Sequence, residues 1–348
     1  MISTRLTSKF SLSLPIMGAP MAGVSGGALA SATSTSGGLG FIAAGHFESE
    51  SRLRDEVSIF KSSTPKGTPL GLGFLSFSSL ESDPVRVMDA ITEHSPSAVQ
   101  FFAPSVMGSN IEQAKSLGVT VFAQVGNVGD AREAIEAGVD VIIAQGREAG
   151  GHGLRPELGT STLPLASRIV TLASSYPSRP LVLAAGGIVD GRGLASVLAL
   201  GCDGAVLGTR LWASKEALGH EGYKRRLVEA GTDDVERIRG FDMVANGYRE
   251  FEWPYPYDSS GVVKNRFAEE WEGREDELEV ALREGEGEGL REKLRRAEET
   301  GDAEWGCVYA GEGVGEIKEI EETEAILKRI ERQTVEEIMR LGVLINAS

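Results

Sequence analysis

Eight short runs of hydrophobic residues recur along the first 210 positions of the chain, and more polar segments separate them. Within each run the apolar residues are consecutive and do not alternate with polar ones. This pattern is typical of strands that are covered on both faces, as in a parallel sheet. The predicted strands cover residues 16–20, 39–43, 70–75, 98–103, 119–125, 140–145, 181–185 and 204–208.

The segments between these runs have the spacing and boundary residues of helices. Several begin near an acidic or N-cap residue, and two end at Gly138 and Gly201, as helix C-termini often do. The predicted helices include 48–60, 83–93, 110–117, 130–137 and 190–200. Eight strands that alternate with helices every ~25 residues favour an α/β fold of the (β/α)₈ barrel type, with a doubly wound open sheet as the alternative.

The pattern of apolar runs changes after residue 211. This change predicts a barrel over 1–212 and a smaller, mainly helical insertion after strand eight over 213–305. C-terminal helices over 306–348 are predicted to complete the barrel. Because barrels carry their chemistry at the carboxyl ends of the strands, the insertion is expected to form a lid there. Residues 269–304 contain 15 Asp and Glu against 6 Lys and Arg. We interpret this acidic block as solvated helices, with an acidic interaction tail as the alternative.

Composition excludes several classes of protein. The 348 residues are 41% hydrophobic, which suits a buried core, and no apolar run approaches the roughly 20 residues that span a bilayer. The net charge of −16 argues against a nucleic-acid partner. Cys202 and Cys307 are expected to be reduced, and no cluster of residues has metal-ligand spacing, so no metal is predicted. We expect a cytoplasmic protein with no signal peptide and no membrane partner.

The 44 glycines are the most informative part of the composition, because three glycine clusters directly follow predicted strands. They lie at 145–153, 184–188 and 207–209, after strands six, seven and eight. In a barrel the loops after strands seven and eight commonly bind phosphate through backbone N–H groups, so we expect a phosphorylated ligand. The glycines at 285–289 and 311–315 lack dinucleotide-binding spacing, and we interpret them as linker.

Two histidines fall at this end of the predicted barrel. His152 lies between glycines in the first cluster and is a candidate base or hydrogen-bond donor near neutral pH. His46 follows strand two and is a weaker candidate. His94 and His220 are predicted to be surface residues.

The phrases at 15–23, 37–42, 144–152, 185–188 and 208–209 together resemble the nitronate monooxygenase family, formerly called 2-nitropropane dioxygenases. The most specific is Glu148-Ala-Gly-Gly-His152. The likeness covers about 1–212, weakens across the insertion and returns at 311–315. It implies an FMN-containing TIM barrel with a smaller helical domain over the active site. The cofactor-binding residues that it implies are Met21, Ala22, Gly23, Gly73, Gln124, Gln145, Gly150, Gly151, Gly186, Gly187, Val206, Leu207, Gly208 and Thr209.

The sequence departs from the family pattern at two flavin contacts. Many members carry an Asn in the third-strand phrase where this chain has Gly73, and some carry a Lys where it has Gln124. The lining of the substrate pocket by the insertion cannot be carried over from the family. Tyr255 and Tyr257 are interpreted either as part of the pocket or as surface packing.

The resemblance implies that His152, beside the flavin, orients an alkyl nitronate and in some members removes the α-proton of a neutral nitroalkane. The implied reaction is FMN-dependent oxidation of alkyl nitronates by O₂ to carbonyl compounds and nitrite. Two alternatives remain: an FMN-dependent NAD(P)H oxidoreductase, similar to an enoyl-acyl carrier protein reductase or a quinone reductase, and a non-catalytic flavin-binding protein. A homodimer is compatible with the sequence.

Overall fold

The computed structural model describes residues 1–44, 50–76, 84–103, 108–248, 252–285 and 287–346, and its central element is a parallel sheet of eight strands. The strands run in the order β1-β9-β8-β6-β5-β4-β3-β2, and a parallel bridge between Met17 and Leu39 joins the two ends of this order. The strands are β1 (Ile16–Gly18), β2 (Gly40–Ala43), β3 (Leu70–Leu75), β4 (Ala98–Phe102), β5 (Thr120–Val125), β6 (Val141–Gln145), β8 (Leu181–Ala185) and β9 (Gly204–Leu207), while β7 (Gly151–Gly153) belongs to a second sheet. The predicted (β/α)₈ barrel is confirmed.

The interior of the barrel is a packed core and not a channel. Large side chains from several strands fill it, including Met17, Phe41 and Phe122. The rings of Phe41 and Phe122 meet edge to face with centroids 5.5 Å apart. Helix α1 (Arg5–Phe10) adds Leu6 and Phe10 to the same cluster and closes the amino-terminal end of the barrel. Only the carboxyl ends of the strands are therefore left for a ligand site.

Helices cover the outer face of the barrel. They are α2 (Gly27–Thr35), α3 (Glu50–Ser63), α4 (Pro84–His94), α5 (Gly108–Ser116), α6 (Val128–Glu136), α7 (Thr162–Ser174), α8 (Gly191–Ala199) and the short α9 (Thr209–Trp212). Two of these helices begin at side-chain N-caps. Asn127 accepts a hydrogen bond from the Asp130 N–H at 2.8 Å, and Asp190 accepts one from the Gly193 N–H at 2.9 Å. His94, predicted to be exposed, is buried at the end of α4, so that prediction was wrong. Burial lowers the pKa of His94.

Residues 213–305 contain strands as well as helices. The elements are α10 (Glu221–Glu229), β10 (Val235–Ile238), α11 (Gly240–Ala245), β11 (Ser259–Val263), α12 (Arg266–Trp271), α13 (Glu275–Arg283) and α14 (Gly287–Thr300). Strand β11 pairs antiparallel with both β10 and β7. The insertion therefore shares a three-stranded sheet with the loop that follows barrel strand six. The bounds of the three units remain a prediction.

The acidic block forms the helices α12 to α14, as the solvated-helix interpretation expected. Their apolar side chains, including Phe267, Leu278 and Leu294, pack with Phe241 in a separate cluster. Their charged side chains are largely exposed and form local ion pairs, such as Arg295 with Glu299 at 3.0 Å. The block is thus the outer face of the insertion.

The C-terminal segment returns to the barrel through a 3₁₀ turn (Glu312–Glu316) and the long helix α15 (Thr323–Asn346). Helix α15 packs against α8 and α2 and so completes the ring of helices. The apolar side chains of α15 are buried from the start of the helix up to Ile330. Further along, Ile338 and Leu341 are 46% and 40% exposed. Across the described residues, no helix is both long and apolar enough to cross a membrane.

Candidate active site

The predicted ligand loops come together at the carboxyl ends of the strands. The turn Met21 to Gly23 follows β1 and reaches the turn after β9, because a Cβ added to Gly208 would lie 3.7 Å from Met21 Sδ. The loop after β8 contains Gly186 and Gly187, whose φ angles of +112° and +69° favour glycine. Gly187 is solvent-exposed. These turns leave backbone groups available to a ligand between barrel strands seven, eight and one.

Three amide side chains form the upper layer of the barrel interior. Gln124 and Gln145 lie two residues beyond Phe122 and Ile143, which point into the barrel, and Gln100 is in register with Phe122. Gln100 Nε2 donates to Gln124 Oε1 at 3.0 Å. Gln100 Oε1 is buried and has no hydrogen-bond partner within the described parts of the chain. The sequence analysis missed Gln100, although a polar residue inside an apolar strand was a usable signal.

The proline after β1 occupies the space beside Gly73. Gly73 is in register with Gln100, and a Cβ at position 73 would lie 2.4 Å from Pro20 Cβ and 2.5 Å from Pro20 Cγ. The space beside the backbone at position 73 is therefore filled by a neighbouring ring. Gln100, on the next strand, carries an amide in register with Gly73.

His152 is held by groups from both the barrel and the insertion. It lies on β7, in register with Ser260 of β11, and its carbonyl accepts from Gln145 Nε2 at 2.8 Å. His152 Nε2 lies 2.9 Å from Asp242 Oδ2, and the two side chains are only 8% and 4% exposed. The Ser260 hydroxyl is buried without a partner in the described structure. The imidazole is thus fixed beside the amide layer.

Aromatic side chains surround the His152 imidazole and the space beside it. The indole of Trp253 stacks on the His152 ring with centroids 3.6 Å apart and planes 9° apart, and Tyr309 lies 5.5 Å away. Tyr257 is buried against Phe102, so it is not surface packing, and its place in the pocket wall stays a prediction. Tyr255 is 68% exposed and packs under the guanidinium of Arg155, so it belongs to the surface.

Arg237 connects the insertion to the segment after β6 that contains His152. Arg237 on β10 donates to four backbone carbonyls, those of Arg147, Ala149, Gly151 and Ser259, at 3.2, 2.6, 3.3 and 2.9 Å. Burial lowers the pKa of its guanidinium to about 10. Arg237 therefore fixes the loop that contains Gly150 and Gly151.

The glycine-rich segment 311–315 is hydrogen-bonded to the loops that follow β9 and β6. The Gly311 N–H donates to Thr209 Oγ1 at 3.1 Å, and the Glu312 N–H donates to the Glu148 carbonyl at 2.9 Å. Residues 311–315 are therefore part of the site's framework, and their interpretation as linker was wrong.

The remaining predicted residues divide by side-chain direction. Val206 points into the barrel interior, whereas the Leu207 side chain packs in the outer cluster between strands and helices. Only the backbone of Leu207 can face a ligand. His46 lies outside the described residues. Asp242, Arg237 and Trp253, like Gln100, were not predicted. Across the described chain, no group of three or more His, Cys, Asp or Glu side chains could hold a metal ion.

The fold is a (β/α)₈ barrel, in which the carboxyl ends of the strands commonly hold the active site, and the family makes the chain a flavin-dependent oxidoreductase. The chain belongs to the nitronate monooxygenase family, which matches residues 3–332. It is 32% identical to nitronate monooxygenase npaC of Metarhizium robertsii, over 91% of this chain and 90% of that protein. It is 30% identical to the nitronate monooxygenase of Neurospora crassa, over 94% and 90% of the two chains. The structure of FabK from Thermotoga maritima is also similar, with a TM-score of 0.80, 28% identity and coverage of 99% of this chain and 100% of that one.

Proposed function

We propose that this protein is an FMN-dependent nitronate monooxygenase that oxidises alkyl nitronates with O₂ to carbonyl compounds and nitrite. One observation carries the proposal: a buried imidazole, His152, lies beside an amide layer and glycine loops at the carboxyl ends of the barrel strands. The named relatives support the same substrate class.

The residues present fit FMN. The loops at Gly186, Gly187, Gly208 and Thr209 would bind its phosphate through backbone N–H groups, which suits an anion in a protein of net charge −16. The buried, unpartnered Oε1 of Gln100 is an acceptor suited to an N–H donor of the flavin ring. The chemistry that bound FMN supplies is two-electron oxidation, with O₂ as the final acceptor.

The chain's own side chains orient the substrate and exclude water. His152 presents one ring nitrogen to an anionic nitronate or to the α-carbon of a nitroalkane, because Asp242 occupies the other. The Ser260 hydroxyl lies on the same face of the small sheet and is an available donor for a nitronate oxygen. Trp253 and Tyr309 cover the compartment, which strengthens these polar contacts.

The test of the proposal is flavin content followed by oxygen uptake. Purified protein should be yellow with FMN and should consume O₂ with propionate 3-nitronate. His152→Ala should keep FMN but lose ~10²–10⁴ in kcat/KM for nitroethane, the usual range for loss of an acid–base group. His220→Ala is the matched control, because His220 is exposed. Flavin bleaching by NADH without nitronate turnover would contradict the proposal, as would protein that cannot bind FMN.

The role of Ser260 has a control on the adjacent residue. Ser259 and Ser260 are both fully buried with unpartnered hydroxyls, yet they lie on opposite faces of β11. Ser260→Ala should raise KM for propionate 3-nitronate ~10-fold, the effect of one lost hydrogen bond to a charged group, and Ser259→Ala should not. Equal effects of the two changes would remove Ser260 from the pocket.

A further inference from the structure

The pair formed by His152 and Asp242 has a geometry that determines which imidazole nitrogen can react. Asp242 lies on α11 of the insertion, 90 residues from His152 in sequence, and its Oδ2 is 2.9 Å from Nε2. Both side chains are almost fully buried. An ionised carboxylate only accepts hydrogen bonds, so a neutral His152 must carry its proton on Nε2.

The ring cannot exchange its two nitrogens without breaking other contacts. Trp253 stacks almost parallel to the imidazole, and the backbone of His152 is held by the β7–β11 pairing and by Gln145. A ring flip would remove the hydrogen bond between Nε2 and the buried Asp242 carboxylate, which is unfavourable for a buried charged group.

We propose that Asp242 is a positioning residue that fixes the Nε2–H tautomer of His152 and thereby makes Nδ1 the nitrogen that faces the substrate. The chemical consequence rests on the proposed function. With a neutral nitroalkane, the α-proton passes to Nδ1, the C–H bonding pair becomes the C=N π bond, and the N=O π pair moves onto oxygen to give the nitronate anion. The resulting imidazolium faces the Asp242 carboxylate, which stabilises its positive charge.

The proposal separates two classes of substrate. A neutral nitroalkane needs the lone pair of Nδ1, whereas a preformed nitronate has no α-proton to transfer and needs only a donor. In Asp242→Asn, the amide N–H₂ can donate to Nε2 and so move the ring proton to Nδ1. The base is then lost, and Nδ1 becomes a donor toward an anionic substrate.

The first measurement reads the tautomer directly and needs no turnover. Because the chain has four histidines, holoenzyme labelled with ¹⁵N-histidine gives few signals, and His152→Gln assigns the one of interest. In alkaline buffer, the neutral form of His152 should show protonated Nε2 in the wild type and protonated Nδ1 in Asp242→Asn. The control is Asp258→Asn, which removes a carboxylate that pairs with Arg155 and not with His152.

The second measurement compares two substrates on the same preparations. Asp242→Asn should lower kcat/KM for nitroethane by ~10²–10⁴ and that for propionate 3-nitronate by less than about tenfold. Asp242→Glu should recover part of the nitroethane activity.

The outcomes separate this inference from the proposed function. Protonated Nδ1 in the wild type, an unchanged tautomer in Asp242→Asn, or equal loss with both substrates would overturn the role of Asp242. If Asp242→Asn does not fold, the wild-type spectrum alone decides. Protonated Nε2 in a protein that turns over neither substrate would support the tautomer assignment while refuting the proposed function.

Discussion

Gly73→Ala tests whether packing against Pro20 explains why β3 has glycine, and no larger side chain, at position 73. The family pattern given in the sequence analysis, with Asn at this position, would imply that a larger side chain is tolerated or even improves flavin binding. The structure predicts the reverse, because the added Cβ would lie 2.4 Å from Pro20 Cβ, about 1 Å inside an ordinary contact.

The expected magnitude follows from two opposing effects. Overpacking a rigid contact of this kind costs about 1–3 kcal/mol. Replacing glycine by alanine in a strand returns roughly 0.5–1 kcal/mol. We therefore expect Gly73→Ala to lower the free energy of unfolding by about 0.5–2 kcal/mol. Since Pro20 leads directly into the turn that begins at Met21, we also expect FMN to bind ~10-fold more weakly, which corresponds to about 1.4 kcal/mol.

The assay is urea denaturation of the apoprotein combined with FMN titration followed by flavin fluorescence. A double-mutant cycle with Pro20→Gly isolates the contact and should give a coupling of about 1–2 kcal/mol. The control is Gly289→Ala on helix α14, where an added Cβ meets nothing within 4 Å. This change should stabilise the protein by about 0.5–1 kcal/mol.

Stabilisation by Gly73→Ala, or a coupling near zero with Pro20→Gly, would refute the reasoning. Either result would mean that Pro20 does not limit the side chain at position 73. The absence of Asn would then have a cause other than steric exclusion.

Three further predictions concern charged groups in and around the barrel. Arg237→Met should lower the free energy of unfolding by about 2–4 kcal/mol and weaken FMN binding, because charged hydrogen bonds contribute roughly 1.5–3 kcal/mol each before the cost of burial. In denaturant titrations, the stability of Arg237→Lys should lie between those of the wild type and Arg237→Met. Glu321→Gln should cost about 2–4 kcal/mol, since Glu321 pairs with Arg329 and with the buried Arg210. The Arg329 guanidinium lowers the pKa of Glu321, so this difference is present above the ordinary Glu pKa and should vanish in denaturation curves as pH falls through the folded value. Burial lowers the pKa of His94, so the protein should lose stability as pH falls below about 6.5, and His94→Gln should flatten the dependence of Tm on pH in that range; an unchanged slope would exclude this contribution.

The barrel was predictable because its signals are local. Each strand is an apolar run with helix boundary residues on either side, and the predicted strand 181–185 coincides with the observed β8. His152 was also found locally, from the glycines around it. Gln100 carried a local signal as well, a polar residue within an apolar run, and was overlooked.

The surroundings of His152 could not be predicted, because they depend on pairs that are distant in sequence. Asp242 is one of many acidic residues in the insertion, and only the packing of α11 brings it to Nε2. The pairing of β7 with β11 joins two short strands with weak patterns, Gly151–Gly153 and Ser259–Val263. Such contacts arise from tertiary structure and have no signature in a local window of sequence.

The pairing of β7 with β11 also sets the order in which the site can be built during synthesis. On the ribosome, His152 is made about a hundred residues before its strand partner Ser260, a delay of roughly 5–20 seconds at ordinary elongation rates. The nascent chain can therefore assemble barrel strands while its histidine still lacks both its sheet and Asp242. Helix α15 is made later still and packs against α8 and α2. The surroundings of His152 are therefore completed only after the insertion has been synthesised, however early the barrel strands pair.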